Sequence, residues 1–294
     1  MVDIGRIGVW TFQFELQPWS AVAEAAAELD ELGYGALWFP ESRGREAFAQ
    51  SALLLGATRR IAVAPGIANI YARDAVAMAA GHRTLAEAFP GRYLLGMGVS
   101  HRPSVENIRG HRYGPPIATM RAYLDAMDAA PYAPPMPSPA PERILAALGP
   151  KMLQLAAERT AGAHPYFVPV EHTRLARQIL GRGPFLAPEQ AVVLERDPAT
   201  AREIARRHTV NYLRLDNYGN NLRRLGYGEE EFADGGSDRL VDDIVAWGSL
   251  DDVVARVRAH LDAGADHVCV QVLPADPNSL PHREWRELAD ALLP

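Results

Sequence analysis

Short apolar runs alternate with longer amphipathic segments along almost the whole chain. RIGVWTF at 6–12 reads as a strand, and residues 18–32 then repeat Ala, Leu and Val three and four apart, the spacing of one helix face. Gly33 closes that helix, and Gly35-Ala-Leu-Trp-Phe39 reads as the next strand. Helix 45–57 leads to strand 60–64, and helix 73–89 leads to RYLLGMG at 92–98. The strand runs are short and apolar without strict alternation, as expected where both faces are covered. Such an order predicts βα units and parallel pairing.

The rhythm breaks at residues 99–115, a polar, turn-rich stretch that reads as a long loop. Helix 116–129 is followed by APYAPPMPSPAP, which proline makes extended or irregular. Strand and helix resume at once with RILAAL at 143–148, helix 150–160, AGAHPYF at 161–167 and helix 171–180. An inserted excursion explains this better than a domain boundary. AVVLE at 191–195 and helix 198–213 come next. A second excursion at 214–249 contains the helical piece DRLVDDIVAW, and helix 250–263 and strand 267–272 complete the order. The expectation is an α/β fold: one (β/α)8 TIM-barrel domain over residues 1–294, with insertions after strands four and seven. An open doubly wound sheet is the alternative, and the lack of G-x-G-x-x-G after the first strand weighs against its nucleotide-binding form.

Composition narrows the function classes. The chain has 294 residues, 48% of them hydrophobic, enough for a large core in a single barrel. Its net charge of −6 and scattered basic residues give no support for nucleic acid or an anionic membrane as partner. Cys269 is the single cysteine, in a strand-like setting that predicts a buried, inert thiol and is consistent with a reducing cytoplasm. The N-terminus shows no signal-peptide pattern, and no run reaches the ~18 apolar residues of a membrane span. A cytoplasmic protein is expected.

Barrel active sites lie at the carboxyl ends of the strands, and here those ends are rich in glycine and proline. They are Trp10-Thr-Phe12, Phe39-Pro-Glu-Ser42, Pro65-Gly-Ile-Ala-Asn69, Gly96-Met-Gly-Val-Ser-His101, Gly149-Pro-Lys-Met152 and His164-Pro-Tyr166. Together they offer close backbone approach, aromatic faces and few charges, which suits a large planar ligand held by main-chain groups. The histidines have no metal-ligand spacing, so no metal is expected. No G-x-S-x-G frames a serine nucleophile. Glu41 is a lone carboxylate at a strand end, placed either for function or for an ion pair with Arg43 or Arg45.

These segments resemble the luciferase-like flavin and deazaflavin monooxygenase superfamily, in its coenzyme F420-dependent branch. The resemblance rests on LDELGYGALWFPES (29–42), IAVAPGIANIYARDAVAMA (61–79), RYLLGMG (92–98), LGPKMLQLAAERTAGAHPY (148–166) and DDVVARVRAHLDAGADHVCVQ (251–271). It implies an oxidoreductase that moves a hydride between the deazaflavin ring and a small organic substrate. The ring is expected over a bulge after strand three containing a cis Gly66–Ile67 bond, with Asn69 nearby. Gly98, Val99 and Ser100 match the strand-four turn beside the cofactor. Gly162, Ala163, His164, Pro165 and Tyr166 match the region that reaches its phosphate-bearing tail.

The chain departs from the family at strand two, where relatives often carry Asp-His and this chain has Glu41-Ser42. A serine hydroxyl without an activating partner is a poor general base. His101 is the obvious titratable replacement near neutral pH, so His101, Glu41 and Ser42 are the candidate catalytic residues. Trp10, Phe12, Trp38 and Phe39 are expected to supply apolar walls, and the loop after strand four and residues 214–249 a lid. The family implies a homodimer through helices 45–57 and 73–89. An FMN-dependent monooxygenase of the same fold is the alternative, and a non-catalytic ligand-binding barrel a further one.

Overall fold

The computed structural model describes residues 2–294. Eleven strands are present: β1 (Ile7–Trp10), β2 (Ala36–Phe39), β3 (Ala62–Pro65), β4 (Ala68–Asn69), β5 (Leu95–Gly98), β6 (Arg143–Leu145), β7 (Gly162–Ala163), β8 (Phe185–Leu186), β9 (Glu189–Val193), β10 (Val245–Trp247) and β11 (Val268–Val272). They form two sheets, ordered β10-β9-β11-β1-β2-β3 and β4-β5-β6-β7-β8. Every pairing is parallel. Hydrogen bonds join the sheets at both seams. Val63 bridges Tyr93 just before β5, and the Glu189 amide donates to the Pro165 carbonyl just after β7 at 2.9 Å.

Because side chains alternate along a strand, each run feeds two cores. Val9, Leu37, Phe39, Val63, Leu95 and Val270 belong to one core, packed with helix residues such as Leu29, Leu54 and Leu124. Trp10, Trp38, Ala62, Ala64, Ile144 and Cys269 belong to the other, on the inner face of the strands. Small residues make room there. A Cβ on Gly8 would lie 2.5 Å from His267 Nε2, and one on Gly96 would lie 2.1 Å from the Pro65 carbonyl oxygen. Trp38 fills the freed space and donates its indole N–H to His267 Nε2 at 3.2 Å. His267 in turn donates from Nδ1 to the Gly5 carbonyl at 2.9 Å.

Local chemistry sets the element ends. The helix Trp19–Leu32 stops at Gly33, whose φ of 91° is open to glycine at little cost. Asp74 accepts from the Ala77 amide at 2.8 Å and starts the helix Ala75–Ala88. Asp30 accepts from the amides of Arg59, Arg60 and Ile61 and so fixes the entry to β3.

Several elements differ from the expectation. The strand expected over 161–167 is only Gly162–Ala163, because Pro165 cannot donate and Phe167 turns to a φ of 59°. The strand expected from 191 starts earlier, at β8, and runs on past Pro188 into β9. The loop after β5 contains a π-helical turn, Ser104–Ile108. The second excursion holds the helices Asp216–Arg224 and Asp238–Ile244, and then β10, which adds to β9. The helix His282–Leu292 was not expected. Its Trp285, Leu288 and Ala289 are buried, and the Trp285 carbonyl accepts from the Tyr34 hydroxyl at 2.7 Å.

Candidate active site

A cavity of about 1270 Å³ opens at the carboxyl ends of the strands. Its lining includes Trp10, Gly66, Ile67 and His164, with Tyr166, His208, Tyr212, Tyr218 and Gln271, and with Gly149, Lys151 and Arg224. Of the expected apolar walls, Trp10 and Phe12 line it. Trp38 and Phe39 do not: Trp38 sits in the inner core and Phe39 faces the helices. That corrects their assignment as walls, because neighbouring strand residues must point to opposite faces.

The Gly66–Ile67 peptide is cis, as the resemblance implied. Gly98 lies outside the lining and supports it, since a Cβ there would come 2.9 Å from Ile67 Cγ1. Val99 and Ser100 line the cavity, with Ser100 at a φ of 57°. Asn69 also lines it and is buried, with its Oδ1 accepting from the Tyr71 amide at 2.9 Å.

Glu41 is committed elsewhere. It pairs with Arg73, not with Arg43 or Arg45, and the two side chains are 4% and 9% exposed. Its oxygens also accept from the amides of Ala47 at 3.1 Å and Asn69 at 2.7 Å. A carboxylate holding an arginine and two amides ties β4 to the start of the helix Ala47–Ala57 and has its oxygens engaged in structure. The catalytic assignment of Glu41 is therefore withdrawn. Ser42 is exposed at the rim.

His101 reaches the mouth. Its Nδ1 lies 3.1 Å from Asn217 Oδ1, and its ring is 5.5 Å from that of Tyr218. An amide oxygen only accepts, so Nδ1 carries the proton and Nε2 is the basic nitrogen. Burial holds the imidazole below its ordinary pKa, with the Asn217 bond opposing. The loop after β5 and the helix Asp216–Arg224 thus meet over the cavity. The helix Asp238–Ile244, from the same excursion, contributes nothing to its lining.

The segment expected to meet a phosphate divides. Gly162, Ala163 and Pro165 do not line the cavity, whereas His164 and Tyr166 do. Gly162 serves chain approach, since a Cβ there would lie 2.0 Å from the Phe185 carbonyl oxygen. His164 donates from Nδ1 to the Ala187 carbonyl at 2.7 Å and stacks on Trp38 at 4.6 Å. Burial pushes its pKa down to about 4, so it presents a lone pair and no charge. A neutral acceptor is the wrong partner for a phosphate. Cys269, 3.9 Å from His164 Nδ1, is a buried thiol that desolvation keeps protonated. The Tyr166 hydroxyl donates to Gln271 Oε1 and lies against the Tyr212 hydroxyl, each at 2.8 Å.

Cationic character gathers beside this segment, after the neighbouring strand β6, which the sequence reading missed. The helix Pro150–Arg159 begins at Gly149 with no side-chain cap among the described residues. Lys151 sits in its first turn, and Arg224 Nη1 lies 3.3 Å from where a Gly149 Cβ would be. Pro150 has no N–H and the Met152 amide donates to the Gly149 carbonyl at 3.0 Å, so the Lys151 amide, the positive end of the helix and two cations are what this start offers an anion. The G-P-K run was the available signal. Glu189 was also missed. It is fully buried, accepts from the Phe167 amide at 3.1 Å, and desolvation raises its pKa to about 8.

Known proteins resemble this chain in part of its sequence and in its fold. A protein of Mycobacterium tuberculosis named as a coenzyme F420-dependent oxidoreductase is 29% identical over 120 residues. The match spans 41% of this chain and about a third of that relative, 35% of its length. An F420-dependent secondary alcohol dehydrogenase, solved with an F420-acetone adduct, superposes with a TM-score of 0.76 at 12% identity over 98% of both chains. The coenzyme F420-dependent tetrahydromethanopterin reductase of Methanopyrus kandleri gives 0.74 at 16% identity, over 99% of this chain and 98% of its own. The FMN-bound oxygenating constituent of 3,6-diketocamphane monooxygenase from Pseudomonas putida gives 0.73 at 16%, over 98% and 97%. These three share the fold. The model of the luciferase-like monooxygenase family matches residues 4–267, and the chain belongs to that family.

Proposed function

We propose that this protein transfers a hydride between coenzyme F420 and a small organic substrate. The observation that carries the reading is the polarity of the cavity: a neutral, aromatic interior and a cationic rim at an uncapped helix start. A long ligand with a planar heterocycle at one end and a phosphate at the other fits that division. On this reading the two sheets are one closed (β/α)8 barrel within a single domain, with insertions after its fourth and seventh strands.

When bound, the coenzyme supplies the carbon that gives or takes the hydride. Everything else falls to the chain. Lys151, with its side chain and its amide, and Arg224 would hold the phosphate, replacing the 162–166 segment in that role. Ile67, backed by Gly98, supports one face of the ring. Tyr166, Tyr212 and Tyr218 wall off water. His101 Nε2 takes or returns the proton of the reacting substrate, with Asn217 fixing its tautomer. FMN has the same two ends, and the P. putida relative carries it. Equilibrium titration of the purified protein with F420 and with FMN decides between them. Tight binding of F420 with weak binding of FMN is the expected result. No binding of either would overturn the reading.

The same proposal includes a homodimer through the helices Ala47–Ala57 and Ala75–Ala88. Supporting it, Leu53 and Val76 on these helices are 49% and 48% exposed. Sedimentation should give a dimer mass at micromolar concentration and a monomer for the Leu53→Glu/Val76→Glu variant. A monomeric wild type would remove the dimer.

A further inference from the structure

Trp10 Nε1 and His164 Nε2 have no hydrogen-bond partner among the described residues. Their residues are only 2% and 1% exposed, yet both line the cavity. They converge on Gly66, lying 2.6 Å and 3.0 Å from the position its Cβ would occupy. One functional group can therefore reach both. A buried polar atom left unpaired is costly, so two side by side, facing a cavity, call for a ligand.

The two atoms ask for different things. An indole N–H only donates. His164 spends its Nδ1 proton on the Ala187 carbonyl, so Nε2 only accepts. Desolvation beside Trp38, His267 and Cys269 keeps that ring neutral. An anion would meet a lone pair, and a cation would meet an N–H. An isolated carbonyl would leave His164 unpaired, and an isolated N–H would leave Trp10 unpaired. A hydroxyl satisfies both, and so does an uncharged carbonyl flanked by a ring N–H. The latter is the imide edge of a pyrimidinedione, which deazaflavin and flavin rings both carry.

We propose that Trp10 and His164 form the subsite for this imide edge, Trp10 donating to a ring carbonyl and the ring N–H donating to His164. The inference rests on the coenzyme reading above. It makes Gly66 the residue that keeps the approach open, since any side chain there would push the Trp10 indole away.

The test uses the whole protein without substrate, titrated with F420 and with FMN. Trp10→Phe keeps an aromatic ring, though a smaller one, and removes the N–H. His164→Asn keeps a donor for Ala187 and removes Nε2. Each should raise the Kd of whichever coenzyme binds by about tenfold or more, with thermal unfolding of the variants as the folding control. In the wild type, the indole N–H resonance identified by its loss in Trp10→Phe should shift when coenzyme is added. That reading stands even if His164→Asn does not fold. Unchanged Kd values and an unmoved resonance, with coenzyme bound, would overturn this inference alone and direct the pair to another group, such as a substrate hydroxyl. If neither coenzyme binds the wild type, the coenzyme reading and this inference fall together.

Discussion

The two faces of the strands hold two kinds of interior. Toward the helices, Leu37, Leu95, Val63 and Val270 meet other aliphatic chains, whose packing has no preferred direction. On the inner face, Trp38, His164 and His267 are joined by directed bonds and fitted against Gly8, Gly66 and Gly96. The first interior is held by area, which tolerates rearrangement. The second is held by donors matched to acceptors, which does not. The same strand residues thus divide labour, one side for cohesion and the other for recognition.

The largest expected effect is the response to pH, which spans both interiors: His164 and His267 lie among the strands, and His82, His172, His208 and His260 lie on helices. His82, His164, His172, His208, His260 and His267 are each held by burial at about 3 or 4, against 6.5 in the unfolded chain. Between those values the unfolded state binds protons that the folded state refuses. Their stability contribution is complete above 6.5 and is lost as pH falls toward 4. Six such groups outweigh the opposing carboxyls Glu189 and Glu15, both raised by desolvation, and can remove most of the roughly 5–15 kcal/mol of a typical domain. Urea unfolding from pH 7 to pH 4 should show a steep decline, and a flat profile would refute the account.

Next comes the helix-facing layer. Leu37→Ala should cost about 2–5 kcal/mol, leave the shape of the pH profile alone, and leave coenzyme affinity nearly unchanged. Lost coenzyme binding in a folded variant would break the division of labour. At the mouth, His101→Ala should lower kcat by about a hundredfold, with coenzyme Kd little altered. An unchanged kcat, with chemistry limiting, would remove His101 from proton transfer.

The smallest effect concerns Glu189. Its carboxyl is raised by desolvation from 4.5 to about 8, so the folded state holds a proton that the unfolded state releases. That contribution is present below 4.5 and is lost as pH rises toward 8. Glu189→Gln should raise stability at pH 8 by on the order of 1–2 kcal/mol and change little at pH 4. Equal shifts at both pH values would show that the carboxyl is already ionised.

Much of the order of elements was legible, because glycine stops and apolar runs are local signals. Gly33 and the run at Ala36–Phe39 needed nothing distant. The bulge at Gly66 was also legible through the resemblance. Which face a residue takes was not. Trp38 and Phe39 are both apolar in a strand covered on both sides, so nothing in the pattern says which looks inward. The Glu41–Arg73 pair and the meeting of Trp10 with His164 join residues far apart in sequence, and only the fold brings them together. Glu189 was passed over because the strand was started at 191, beyond it.

The pairing of β1 with β11 has a consequence for how the chain is made. Ile7 is in register with Val268, so one neighbour of β1 is synthesised about 260 residues after it. At roughly 5–20 residues per second, on the order of ten seconds or more passes before that neighbour leaves the ribosome. Throughout that interval one side of β1 stays open, with unpaired backbone groups and apolar side chains. Until β11 arrives, β2 is the only neighbour β1 can pair with, so this edge of the nascent sheet is the one most open to pairing with other chains.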